Sequence, residues 1–226
     1  MAVQHAADYS EMPDRPVAHQ SIDWAAIRAR QPTLMTKPPH ECLIPTPTLY
    51  TPRLVLRPVQ LEDAAVMQTL FNQWEVVRYL THHVPWPYPD GEALRHIRED
   101  VLPAMRNGEE WHWSIRLSGD QEPLIGAACM TDEEDNNRGF WLSTPYQGLG
   151  LMSEVCVAID RFWFETLKRP VLRVAKSALN EASYRLSQRE GMRLVTVQEA
   201  QFVCGTTQEQ IWELTRQEWR ANNSVQ

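Results

Sequence analysis

The chain has 226 residues, 43% of them hydrophobic and nine of them tryptophan, enough for one domain with a substantial core plus an extension. Twenty-two basic residues stand against 29 acidic ones, a formal charge of −7, which gives no electrostatic ground for binding nucleic acid or an anionic membrane. No run of 18 apolar residues exists, and the first ten residues lack both a basic start and an apolar stretch, so the expected compartment is the cytoplasm.

Residues 1–50 read as a proline-rich extension, with Pro13, Pro16, Pro32, Pro38, Pro39, Pro45 and Pro47 and no sustained apolar period. Two helical turns over 22–30, capped by Ser21 or Asp23, are the exception. Regular structure is expected over 51–220, with a short tail at 221–226. Residues 53–57 alternate as a first strand, ended by Pro58. Asp63 then caps or begins a helix whose apolar positions are Ala64, Met67, Leu70 and Phe71, and Val76, Val77 and Leu80 continue the helical reading. Three prolines in 82–90 forbid its further extension. A second helix carries Leu94, Ile97, Val101 and Met105 on one stripe. Strands are expected at 111–117, with Trp111, Trp113 and Ile115 on one face, at 124–130 as a central strand, and at 139–143. A helix over 152–167 buries Val155, Ala158, Ile159, Phe162, Trp163 and Thr166. A strand at 171–175, a helix at 181–190 stopped by Gly191, and strands at 194–197 or slightly longer and at 210–215 complete an α/β or α+β order.

The four cysteines, at 42, 129, 156 and 204, form no CxxC pair and no Cys/His cluster with zinc spacing. They read as buried thiols, and no metal site is expected. Chemistry concentrates instead in 139–154, GFWLSTPYQGLGLMSE: a strand, a proline-restricted turn, two glycines and a helix start. Gly148 and Gly150 allow a close backbone approach, and the free N–H groups of the first helical turn can donate to phosphate oxygens. A phosphate cradle and an ordinary loop–helix junction both fit this pattern. A nucleotide P-loop and a dinucleotide fingerprint do not, since neither the Gly-Lys-Ser/Thr ending nor GxGxxG is present.

The segment YQGLGLMSE resembles the pyrophosphate-binding motif of the GNAT acyltransferases, Gln/Arg-x-x-Gly-x-Gly/Ala, beginning at Gln147. TPRLVLRP at 51–58, WPYP at 86–89, LNEASYRLSQREGM at 179–192 and WELTRQEW at 212–219 are similar to the RimJ/RimL-type branch, which includes enzymes acetylating ribosomal-protein N-termini. The resemblance covers about 170 residues. It implies a mixed, mostly antiparallel, splayed central sheet of about seven strands flanked by helices. It also implies acetyl-CoA, or another acyl-CoA, as donor. Phe140, Trp141 and Leu142 would offer backbone groups to the pantetheine arm. Gln147, Gly148, Leu149, Gly150, Leu151 and Met152 would hold the pyrophosphate, and Asn180 would contact the cofactor. Ser183 and Tyr184 would line the thiol end, and Trp86 and Tyr88 would wall the acceptor cleft. Met152 occupies the family's small-residue position, where its longer side chain would narrow the approach.

Amine acylation needs a neutral amine, a polarised thioester carbonyl and a donor for the departing thiolate. Ser183 and Tyr184 are the candidate donors; packing or capping of their own helix is the alternative role. Glu110, His112, Asp132 and Glu133 are candidate bases, each equally readable as a surface group. The expected acceptor is an amine-bearing small molecule, peptide or protein N-terminus, and a monomer or homodimer fits the chain. A non-catalytic CoA-sensing or protein-interaction module on the same scaffold is the competing reading.

Overall fold

The structure is a computed structural model in which residues 43–223 are described. The helical turns expected over 22–30, Cys42 and most of the 1–50 extension lie outside the described residues.

Five antiparallel strands form the first sheet, in the order β1 (Leu49–Tyr50), β2 (Leu54–Pro58), β3 (Glu110–Leu117), β4 (Leu124–Thr131) and β5 (Arg138–Leu142). Three more form a second antiparallel sheet with β8 (Gly205–Thr215) between β6 (Val171–Ser177) and β7 (Arg193–Phe202). The splayed sheet expected from the resemblance is therefore present, as two sheets of five and three strands.

Strand alternation decides which face is packed. Trp111, Trp113 and Ile115 of β3 are 3%, 0% and 0% exposed and form one core with Leu54, Leu56, Ile125 and Met130. Helix α4 (Leu151–Arg161, running on through a wider turn at Phe162–Thr166) closes that core with Leu151, Val155, Ile159, Phe162 and Trp163, a 3–4-spaced stripe. Ala158 is half-buried at its margin, and Thr166, expected on the same face, is exposed because the wider final turn rotates it outward. Buried indoles must place their N–H groups. Trp111 Nε1 donates to Ile44 O at 2.9 Å and Trp113 Nε1 to Pro47 O at 2.7 Å, so residues 44–47 lie along the core edge.

The other face is covered by α1 (Ala64–Phe71) and α3 (Glu92–His96, Ile97–Val101 and Leu102–Arg106, continuous). Ala64, Met67, Tyr88, Ala93, Ile97 and Val101 form a second core there, against Ala127 and Trp141. Leu94, expected on the buried stripe, is 37% exposed; the buried stripe runs instead through Ala93, Ile97, Val101 and Ala104, at the same 3–4 spacing. Between α1 and α3 lies a short helix, α2 (Trp74–Val77).

The late hairpin is much longer than its apolar pattern predicts. β7 is exposed along almost its whole length, so the ladder to β8 holds it rather than burial of a face. At its tip Val203 N–H donates to Leu80 O and Cys204 N–H to Arg78 O, both at 3.0 Å, while Thr81 bridges Phe202. A final helix, α6 (Arg216–Asn223), was not expected from the sequence. Its start is a Thr-x-x-Glu box: Thr215 N–H and Oγ1 donate to Glu218 at 2.8 and 2.7 Å, and Glu218 N–H donates back to Thr215 Oγ1 at 3.2 Å.

Candidate active site

β5, α4 and β6 form one strand–helix–strand unit, and among the described residues a backbone hydrogen bond joins the two sheets at its beginning. Asn137 N–H donates to Arg173 O at 2.7 Å, and the Asn137 and Asn136 side-chain oxygens accept from the N–H groups of Arg173 (2.7 Å) and Ala175 (3.3 Å). Two asparagine side chains thus stand where strand backbone would otherwise pair with β6. Beyond them β5 is the edge of one sheet and β6 the edge of the other, leaving one side of Gly139–Phe140–Trp141 without a ladder partner among the described residues. Leu142 O is already used, accepting from Gln147 Nε2 at 2.8 Å.

The loop leaving β5 turns tightly into α4. Gly148 and Gly150 have φ of +74° and +76°, the left-handed region that costs an ordinary residue about 1–2 kcal/mol. Space where a Cβ on Gly148 would stand is open to 4 Å. Gly150 is the residue before the first turn of α4, so the N–H groups of Leu151, Met152 and Ser153 have no intrahelical acceptor. The loop therefore has the features a bulky anion needs: free donors, the positive end of an eleven-residue helix and open space at Gly148. Leu149 is exposed, whereas Leu151 is buried and Met152 is partly buried against the main core. Met152 thus spends part of its side chain against the main core.

Helix α5 (Glu181–Arg189) starts beside β6. Asn180 caps it, its Oδ1 accepting from Ser183 N–H at 3.1 Å, a bond whose loss costs about 1 kcal/mol. Ser183 Oγ makes no hydrogen bond among the described residues, so its proton is available. Tyr184 differs: its hydroxyl accepts from Gln188 Nε2 at 2.7 Å and its ring meets Trp212 edge-on at 5.3 Å. That hydroxyl is drawn along the helix away from its start.

Sequence reasoning missed what lies beneath α5. Lys176 of β6 is 6% exposed and donates to Ser183 O at 3.1 Å and to Ser187 Oγ. Burial first, then the neighbouring Arg138 charge, lowers its pKa to about 7. Arg138 is itself buried and grips Asp160 of α4 with one nitrogen at 2.8 and 2.7 Å, while another nitrogen reaches Glu190 at 2.6 Å. Arg138 thus ties β5 to both helices behind the gap. The available signal was charge inside apolar periodicity: Lys176 ends a strand pattern, and Asp160 interrupts the buried stripe of α4.

The two aromatic residues of WPYP part company. Tyr88 is buried against Phe71, with ring centroids 4.9 Å apart, and Phe71 continues the contact to Trp141 at 5.2 Å. Trp86 is 36% exposed and leans on Trp74 at 5.5 Å. Of the candidate bases, His112 Nε2 and Glu110 Oε2 lie 2.6 Å apart on β3. They share a sheet face with Cys129, His112's cross-strand partner, and Gly139. Asp132 pairs with Arg169 at the surface, and Glu133 belongs to the β4–β5 turn. No group of three or more potential metal ligands exists among the described residues. Cys156 is buried, Cys129 half-buried and Cys204 exposed, all as free thiols, so burial describes the first two and not the third.

Comparison with known proteins agrees with this architecture. Residues 53–193 match the acetyltransferase (GNAT) domain family. Over 123 residues the chain is 27% identical to the uncharacterized N-acetyltransferase p20 of Bacillus licheniformis, covering 53% of this chain and 67% of that protein. RimL, a ribosomal L7/L12 alpha-N-protein acetyltransferase solved with coenzyme A, aligns with a TM-score of 0.62 at 17% identity, over 73% of this chain and 95% of RimL. The microcin C7 self-immunity acetyltransferase MccE, solved with acetyl-CoA and AMP, gives 0.62 at 15% identity over 73% and 93%. A GNAT-family acetyltransferase of Bacillus anthracis gives 0.62 at 19% over 76% and 99%. At these identities the solved structures establish a common fold. The family match itself runs from β2 to the start of β7, more than half of the chain, and on that ground the protein belongs to the GNAT acetyltransferase family.

Proposed function

We propose that the protein transfers an acetyl group from acetyl-CoA to a primary amine by direct attack, with no covalent protein intermediate. The carrying observation is the junction of the unpaired β5 edge with the Gly148–Gly150 turn at the start of α4. The family membership supports the same reading. In it, the backbone from Gln147 to Met152 receives the pyrophosphate, and the free edge at Gly139–Trp141 receives the pantetheine amides. Asn180 holds the start of α5 in place, and Ser183 Oγ supplies the proton to the departing thiolate. Ser183 is the better placed of the two candidates because the Tyr184 hydroxyl, accepting from Gln188 Nε2, is drawn along the helix away from its start. His112, backed by Glu110, is the candidate proton acceptor on the face covered by α1 and α3. The acceptor is an amine of a protein N-terminus, peptide or small molecule. The RimL likeness supports testing N-terminal peptides first.

Calorimetric titration with acetyl-CoA and free CoA tests the donor site, followed by thiol release across a panel of N-terminal peptides and small amines. Saturable binding with turnover on at least one amine class is the expected result. Stoichiometric CoA binding with no turnover on any amine would replace it with the CoA-sensing reading, and a faster longer-chain donor would replace acetyl.

A further inference from the structure

The cofactor loop carries no cation of its own. Residues 147–152 read QGLGLM, and the side chain of Gln147 is turned back onto Leu142 O. One turn into α4 stands Glu154, whose negative charge would oppose an anion held at the helix start. Two residues of the first-sheet edge answer it. Thr51 Oγ1 donates to Glu154 Oε2 at 2.8 Å and Arg53 N–H donates to the same oxygen at 3.2 Å, while Arg53 Nε binds Oε1. Partial burial raises the Glu154 pKa, but the bonds from Thr51 and Arg53 outweigh it and leave it below the ordinary carboxylate value.

Arg53 does more than neutralise this carboxylate. Its Nη1 donates to Leu149 O at 3.1 Å, in the middle of the glycine turn. Its Nη2 lies 3.6 Å from the point where a Cβ on Gly150 would stand, and makes no hydrogen bond among the described residues. The side chain is 49% exposed, and Gly150, which this last donor approaches, immediately precedes the free N–H groups of α4. A planar guanidinium with two edges occupied and one presented is suited to a phosphate oxygen.

Resting on the acetyl-CoA reading above, we propose that Arg53 is a further cofactor-binding residue, whose Nη2 binds the pyrophosphate while its other donors hold the loop at Leu149 and silence Glu154. The cation is thus supplied by the segment entering β2, about a hundred residues before the motif it serves.

The test compares wild type with Arg53→Gln, Arg53→Lys, Glu154→Gln and the double variant Arg53→Gln/Glu154→Gln. CoA affinity is measured by calorimetry, and turnover with acetyl-CoA and with S-acetylpantetheine, which has no pyrophosphate. Arg53→Gln is expected to weaken CoA binding about tenfold or more and to lower the acetyl-CoA to S-acetylpantetheine turnover ratio by a similar factor. Arg53→Lys retains part of the affinity, and the double variant stays as weak as Arg53→Gln. Wild-type affinity in the double variant would overturn the proposal, because Arg53 would then act only by cancelling Glu154. An equal loss with both donors would overturn it too, since the effect would be on loop structure. If wild type binds CoA and Arg53→Gln binds equally well, Arg53 alone loses its role. If wild type binds neither CoA nor acetyl-CoA, the donor reading falls and this inference with it.

Discussion

Two residues show how little room single positions leave. A Cβ on Gly126 of β4 would stand 2.3 Å from Trp141 O, a backbone atom of the neighbouring strand, so relief requires moving β5 itself. Gly126→Ala is expected to destabilise the protein by about 1–3 kcal/mol, read as a lower urea midpoint. Lys176 is constrained by charge rather than volume. Folded, its pKa is depressed from 10.5 to about 7, so between those values the unfolded chain binds more protons. Stability from this group therefore rises as pH rises from about 7 towards 10.5, and the full penalty is present below 7. Lys176→Met removes the penalty and also the bonds to Ser183 O and Ser187 Oγ, a loss that does not depend on pH. The stability of the variant relative to wild type is expected to be highest near pH 6.5 and to fall by a few kcal/mol by pH 9.5, measured by urea unfolding at both. A constant difference would mean that the amine is already neutral, or fully charged, throughout.

At the scale of elements, burial explains β3 and α4, while hydrogen bonding explains β7. The β7–β8 hairpin has few buried residues outside Phe202 and the last turns of β8, yet its tip is fastened to residues 78–82 by backbone bonds. Those bonds tie the second sheet to the segment following α2, across from the asparagine junction at β5 and β6. The amides of Val203 and Cys204 are expected to exchange with deuterium as slowly as the hairpin ladder, although both belong to a turn. Val203→Pro deletes one of these donors. It is expected to speed exchange at Cys204 and His82 without altering exchange in β3 and β4; unchanged protection would show that the tie is not held by these bonds.

Among the described residues two sheets share one core and are joined by backbone hydrogen bonds at the asparagine junction, and the gap between β5 and β6 beyond it is the candidate cofactor site. Asn137 joins them most directly, with its N–H on Arg173 O and its Oδ1 on Arg173 N–H, and it is 7% exposed. Asn137→Ala orphans the partly buried Arg173 N–H and is expected to cost about 1 kcal/mol. It is also expected to loosen the coupling between sheets. Unfolding followed by tryptophan fluorescence, to which the buried Trp111, Trp113, Trp163 and Trp212 contribute, would then precede or trail unfolding followed by far-ultraviolet dichroism. Coincident curves at an unchanged midpoint would show that the asparagine junction contributes nothing to this cooperativity.

The sequence by itself determined the elements whose order depends on local physics. Periods of two and of 3–4 marked β2–β5, α1, α3 and α4. Prolines ended the helical reading before 82–90, and glycines marked the turn into α4 and the end of α5. The candidate cofactor loop was legible as a turn because a left-handed turn at a helix start demands glycine where other residues would strain. Helix α6 was encoded as well, in Thr215 and Glu218, a signal that its short polar composition concealed. Only the tertiary structure decided which distant groups meet. Arg53 reaches Leu149 and Glu154, Arg138 gathers Asp160 and Glu190, Lys176 seats α5, and Tyr88 turns inward while Trp86 does not. Even the length of β7 was set this way, by a ladder to β8 that needs no apolar alternation. Local propensity writes periodicity into neighbouring residues, whereas the pairing of buried charges and strand edges depends on contacts between segments far apart in the chain, which no window of sequence contains.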